Sequence, residues 1–179
     1  METYEKPNIF FRPASMDDLD QIHALEAAGY AQDEAASRQQ LQFRLEQAAD
    51  QFLVAVQQTP GGDLELIGFC CGTLSNADTL TEDSMASHDP AGTVLAIHSV
   101  CVTESMRRQG VATRLLRTYL NQYVVATTPQ LTAAVLIAKS QLIGLYAAVG
   151  FQLIGPSSVV HGKDQWFEMR WSPPDSAEG

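Results

Sequence analysis

The sequence predicts a mixed α/β domain built around one sheet, and three observations carry that prediction. Apolar runs of strand length recur along the chain, stripes of helical period separate several of them, and the whole fits the size of one domain. The 179 residues fall in the usual range of a single unit, and 45% of them are apolar, enough to bury a substantial core.

Ile9 to Arg12 is a short apolar opening that Pro13 closes. Ser15 then stands before Met16-Asp17-Asp18, a capping hydroxyl with acids in the first turn. Leu19, Ile22 and Leu25 continue at helical spacing to about Ala28. Ser37 with Gln40 three residues on is a capping box, and it starts a helix whose Leu41, Leu45 and Ala48 share a face. Two apolar runs, Gln51 to Val56 and Leu64 to Cys71, flank Thr59-Pro-Gly-Gly-Asp63 and read as an antiparallel hairpin. Asn76 to Gly92 is polar, acidic and without periodicity, so it reads as a surface loop or partly mobile segment.

Thr93 to Val102 is the strongest strand pattern in the chain. From Gly110 the period becomes helical, with Val111, Leu115 and Tyr119 beside Leu116, Leu120 and Tyr123. Leu131 to Ala138 is a nearly continuous apolar strand, as a buried sheet position requires. Ser140 to about Ala148 follows as a helix stopped by Gly150, and Phe151–Ile154 and Gln165–Trp171 are the closing strands. Residues 1–8 read as an N-terminal tail and 9–171 as the domain. The Pro- and acid-rich residues 172–179 are expected to be a disordered tail. There is no internal repeat.

Acidic residues outnumber basic ones by 21 to 11, a net charge of −10. Such a surface repels phosphate backbones, which argues against nucleic acid as a partner, and it favours a cationic small molecule or a basic peptide. The first residues lack the basic-then-apolar order of a signal peptide, and no apolar run approaches the ~20 residues of a membrane span. Cys70, Cys71 and Cys101 are odd in number, two are adjacent, and no C-x-x-C pair exists. Neither a disulfide framework nor a zinc site is expected. They read as apolar strand residues, and the chain as cytoplasmic.

The stretch that carries chemistry is Ile97-His-Ser-Val-Cys-Val-Thr103 followed by Glu104-Ser-Met-Arg-Arg-Gln-Gly-Val-Ala-Thr113. A long strand runs into a loop holding Arg107-x-x-Gly110-x-Ala112 where a helix begins. The first N–H groups of a helix have no internal acceptor and carry partial positive charge, so such a start cradles an anion. Gly110 and Ala112 keep the approach clear, while Arg107, Arg108 and Arg114 add charge. Alone the motif also fits an ordinary helix start with a solvated basic turn. Its position between a long strand and an amphipathic helix gives it weight.

With these residues the chain resembles the GNAT acetyltransferase superfamily, over nearly its whole length. Phe11-Arg-Pro-Ala-x-x-x-Asp-Leu19 is similar to the family's opening strand and helix, and Leu145-Tyr-Ala-Ala-Val-Gly-Phe151 to its second motif. The resemblance implies a single domain with a mixed, mostly antiparallel central sheet and helices on both faces. It implies acetyl-CoA as cosubstrate, no metal, and backbone donors at Val100, Cys101 and Val102 toward the pantetheine arm. Arg107, Arg108, Gln109, Gly110, Val111, Ala112 and Thr113 would face the pyrophosphate.

His98-Ser-Val-Cys-Val102 and the closing Phe167-Glu-Met169 resemble the arylalkylamine N-acetyltransferase branch. That branch has a His-x-His pair, whereas the first position here is Ala96. A relay would use His98 with water or an acid such as Glu26, Asp33 or Glu34. Tyr146 reads either as a packing tyrosine or as the general acid that protonates the departing thiolate. His98 reads either as a core histidine or as the base that takes the amine proton. Period-two spacing puts it on the face of Ala96, Val100 and Val102, and activity is then expected to rise from pH 6 to 8 as His98 or a coupled group loses its proton.

Tyr30 could stack on an aromatic ring, and Asp33 and Glu34 could pair with ammonium. A small arylalkylamine is the first expectation for the substrate, with a polyamine or protein amine, or a non-catalytic acyl-CoA-binding domain, as alternatives. His23, His88 and His161 form no cluster by spacing and receive no role.

Overall fold

The computed structural model describes residues 8–174, so most of both sequence-predicted tails lies outside the described residues. The strands are β1 (Ile9–Pro13), β2 (Phe52–Gln58), β3 (Leu64–Ser75), β4 (Val94–Val102), β5 (Ala133–Lys139), β6 (Gln152–Pro156) and β7 (Trp166–Trp171). The helices are α1 (Leu19–Gly29), α2 (Arg38–Gln47), α3 (Glu82–Ala86), α4 (Val111–Thr118), α5 (Val125–Thr127) and α6 (Ile143–Ala148). One seven-stranded sheet runs β1-β2-β3-β4-β5-β7-β6, and its neighbours pair antiparallel except β4 with β5.

Each helix is placed by its apolar stripe. Leu19 and Ile22 of α1 with Leu41 and Leu45 of α2 pack on Val54, Val56, Phe69 and Cys71 on one sheet face. Val111, Leu115 and Leu116 of α4 pack on Leu53, Ile67, Cys70 and Leu95 on the other. Ser37 accepts from the Gln40 N–H at 3.1 Å and Gln40 accepts from the Ser37 N–H at 2.9 Å, the capping box that the sequence announces.

Two predicted elements differ. The segment after Asn76 contains α3, capped by Thr81 and Ser84, and Leu80 is buried under it with Val94, Ala96 and Val135. A serine where a capping box usually carries Glu or Gln hid this start from the sequence. The helix begun by α4 widens to a π-helical turn over Tyr119–Val124 before α5. Tyr119 is fully buried there and donates its hydroxyl to the Gln51 carbonyl at 2.8 Å, which satisfies the polar end of an otherwise apolar side chain.

Two irregularities in the sheet create the site. Parallel pairing of β4 with β5 covers only Val94–Ala96 against Ala133–Val135, and beyond it the strands part. In the β3–β4 ladder Cys71 faces Ser99 while Gly72 faces Ile97, so His98 is an extra, bulged residue. Gly72 makes this possible, because a Cβ there would lie 2.5 Å from the Ala96 carbonyl oxygen.

Candidate active site

The bulge corrects the period-two expectation for His98. Ala96 packs with Leu80 and Val135 on the α3 side, whereas Val100 and Val102 join the cluster of Leu95 and Ile97 on the α4 side. His98 stays with Ala96: its Nε2 is 2.7 Å from the hydroxyl of Thr73, the residue opposite Ala96. The Thr73 hydroxyl has one proton and donates it to the Ser84 carbonyl at 2.6 Å. It therefore accepts from His98 Nε2–H, and the hydrogen-bond network assigns the lone pair to Nδ1. Nδ1 is buried and has no partner among the described residues.

Burial, then the charges of Arg44 and His161, hold the His98 imidazole well below the usual histidine range. Burial thus favours the neutral imidazole, and an activity rise between pH 6 and 8 is not expected to follow its deprotonation. A lowered pKa moves the acid limb of a His98-dependent step below pH 6.5. A free amine, with pKa near 10, then governs any rise above neutrality. Profiles of kcat/KM from pH 5 to 9 should show no inflection at 6.5 and a rise that follows the amine. An inflection at 6.5 that vanishes in His98→Gln would refute this.

Where β4 and β5 part, two cavities meet. A cleft of about 600 Å³ is lined by Val100, Cys101, Val102, Arg107, Arg108, Gly110, Val111, Ala112 and Thr113, with Leu145 and Tyr146 opposite. Gly110 is left-handed (φ +78°) with open space where a Cβ would stand, and Arg108 is left-handed too (φ +62°). Such a turn and the unsatisfied N–H groups that start α4 form an anion-binding concavity.

Two sequence-predicted residues turn away from it. The side chain of Gln109 donates to the Ser105 carbonyl at 3.1 Å and is absent from the cleft wall. The Arg114 guanidinium lies over the Phe11 ring, 5.7 Å from its centroid. Arg107 stays in the wall, anchored by its Nε donating to the Val102 carbonyl at 3.2 Å.

The second cavity, about 210 Å³, is mostly apolar, with Leu80, Met85, Ile97, Leu136, Ile137, Leu142 and Trp166 in its wall beside Glu34, His98, Lys139 and His161. Gly29, Tyr30, Val100, Leu142 and Tyr146 belong to both cavities. Tyr146 is buried, packs edge-on against Phe151, and has no hydrogen-bond partner for its hydroxyl among the described residues. Burial pushes its phenol far up, so the proton stays on through neutral pH. The Tyr30 hydroxyl accepts from the Val100 N–H at 3.2 Å and is 3.4 Å from the Val100 carbonyl oxygen. Tyr30 thus covers the backbone donor that the parting of the strands exposes.

Of the expected acids, Glu26 and Glu34 line the apolar cavity together with His98 and Asp33 does not. Glu26 is buried and accepts from the Ala36 N–H at 2.9 Å and the Ser99 hydroxyl at 3.1 Å. Glu34 points inward and pairs with Lys139 at 2.8 Å. Asp33 is exposed and is not in the apolar cavity's wall, because the turn in which Glu34 and Ala35 both donate to the Ala31 carbonyl aims it outward. It borders a separate 180 Å³ recess with Glu26, Glu34, Arg44 and His98.

Lys139, His161, Trp166 and Arg44 were not found from spacing. Arg44 alone left a sequence signal, a charge inside the apolar stripe of Leu41, Leu45 and Ala48. It is 3% exposed, and its Nε and Nη1 have no partner among the described residues. Among those residues no three His, Cys, Asp or Glu side chains are grouped to hold a metal ion.

The anion-cradling cleft and the apolar recess share Tyr146 and Val100 in their walls. The chain belongs to the acetyltransferase (GNAT) family, whose model matches residues 16–151. It is 32% identical over 107 residues to a serotonin N-acetyltransferase of Mesocricetus auratus, covering 60% of this chain and 51% of that one. The Macaca mulatta serotonin N-acetyltransferase is 29% identical over 107 residues, 60% and 52% of the two chains. The chain thus spans about half the length of the curated relatives it matches.

Among solved structures, the loading GNATL domain of CurA from Lyngbya majuscula superposes with a TM-score of 0.77 at 12% identity, over 92% of this chain and 98% of that one. Arabidopsis thaliana NAA60 in complex with acetyl-CoA gives 0.69 at 17% identity, over 92% and 98%. At these identities the likeness is one of fold.

Proposed function

We propose that this protein is an acetyl-CoA-dependent N-acetyltransferase that transfers acetyl to the primary amine of a small arylalkylamine by direct attack. The observation that carries this is the junction of the two cavities, where an apolar recess with Tyr30 and Trp166 in its walls opens onto the α4 cleft beside Tyr146. The serotonin N-acetyltransferase relatives support the same substrate class.

The cleft fits acetyl-CoA. The N–H groups of Val111, Ala112 and Thr113 and the charge of Arg107 and Arg108 would hold the pyrophosphate. Val100 N–H would donate to the thioester oxygen once Tyr30 moves off it. The amine nitrogen then attacks the thioester carbonyl carbon; the C–N bond forms and the C–S bond breaks. Tyr146 donates its proton to the departing thiolate sulfur, and the proton lost by nitrogen passes to His98 Nδ1, directly or through water. Holding the amine neutral costs about 4 kcal/mol at pH 7, so the cavity must favour the uncharged form, and its apolar wall does so. Orientation of the two substrates in adjoining cavities supplies much of the remaining rate. The three cysteines are buried and free, which suits the reducing cytoplasm where we place the enzyme.

Thiol release from acetyl-CoA should be measured at pH 7 to 9 with phenethylamine, tryptamine, spermidine and a short peptide bearing a free N-terminus. Turnover of phenethylamine or tryptamine at millimolar concentration is expected. Turnover of the peptide or spermidine alone would keep the acetyltransferase and discard the arylalkylamine. Micromolar CoA binding without turnover of any amine would leave a binding domain.

A further inference from the structure

Lys139, the last residue of β5, puts a cation into the wall of the cavity proposed to receive the amine. Its ammonium lies 2.8 Å from Glu34 Oε1, 3.1 Å from Asp164 Oδ2 and 5.4 Å from the centroid of the Trp166 ring. Two carboxylates and an aromatic face around one ammonium are the surroundings in which a protein holds an alkylammonium ligand. The carboxylates come from the α1–α2 loop and the β6–β7 loop, and Trp166 opens β7 two residues after Asp164, so two separate segments build the cage around Lys139. Glu34 is 4% exposed at its side chain, and its Oε2 is buried with no partner among the described residues.

We propose that Lys139 sets the amine specificity of this cavity by filling, from within the chain, the cage that would otherwise take the distal ammonium of a diamine or polyamine. A substrate with a second cation finds the cage's carboxylates already paired with Lys139, so its distal ammonium would have to leave water for the cavity without them to receive it. A monoamine with an uncharged body meets the apolar wall of Leu136, Ile137 and Trp166 and brings no second charge. The substrate class is therefore a monoamine with an apolar body, an assignment that rests on reading this cavity as the amine site.

The pair n-pentylamine and 1,5-diaminopentane tests it, since the two differ only by the distal ammonium. Binding to the CoA-saturated protein is measured by calorimetry, and thiol release from acetyl-CoA is measured with the same two amines. The wild type should favour pentylamine by about tenfold or more, a preference readable without any variant. In Lys139→Met, which keeps the length of the stem without its charge, that preference should shift toward the diamine by about tenfold or more. Adding Glu34→Gln to Lys139→Met should take the gain away again.

Equal binding of the two amines by the wild type overturns the proposal, as does an unchanged preference in Lys139→Met or no amine binding by either protein. If the preference shifts in calorimetry while no amine releases thiol, acetyl transfer fails and the role of Lys139 stands.

Discussion

Gly110→Asp is expected to weaken CoA binding by about 10²- to 10³-fold while the protein still folds. Gly110 is left-handed just before α4, and a side chain there enters open space, so the structural cost is backbone strain of about 1–2 kcal/mol or less. A carboxylate at a helix start even favours the helix, by about 0.3–1 kcal/mol. It would, however, occupy the N–H groups meant for the pyrophosphate and repel it. Two like charges about 4–5 Å apart near a surface cost about 3–4 kcal/mol, which is the expected loss. Gly110→Asn has the same shape and tolerance of this conformation without the charge, and it should lose less than about tenfold. Calorimetry with CoA and thermal melts of both variants decide the matter, and unchanged CoA affinity in Gly110→Asp would remove the pyrophosphate from this helix start.

Tyr146→Phe is the second large effect, a drop in kcat of about 10²- to 10⁴-fold with acetyl-CoA binding retained. The ring and its edge contact with Phe151 survive, and no hydrogen bond is broken, because the hydroxyl has no partner among the described residues. Stability should therefore stay close to that of the wild type. Burial keeps the phenol protonated through neutral pH, the state a proton donor needs and a base could not use. A thioester whose thiol is more acidic than that of CoA needs less help in leaving, so its turnover should fall much less in the variant. Equal losses with both thioesters would make Tyr146 a packing residue.

Much of this was legible in the chain. The order of elements, the capping box at Ser37, the hairpin at Pro60-Gly61 and the cradle at Gly110 are all local. Each depends on residues a few positions apart, so periodicity and turn chemistry suffice to find it. The sequence determined in the same way that Tyr146 follows the last parallel strand and that Val100–Val102 lead into the cradle. It also carried the missing histidine at Ala96, for which it offered only water or an acid such as Glu26, Asp33 or Glu34.

Tertiary structure decided what depends on pairing between distant segments. The bulge at His98 arises from register with β3, where Gly72 lets the Ala96 carbonyl come close, so a strict alternation along β4 gave the wrong face. The lone pair on Nδ1 depends on Thr73 and Ser84, which approach His98 from β3 and α3. The ion cluster of Glu34, Lys139 and Asp164 brings together three loops or strand ends more than twenty residues apart, and no spacing rule links them. Sequence patterns record which face of an element is apolar. The charge that meets another charge inside a cavity is set by how strands part and loops close, and those follow from the packing of the whole sheet.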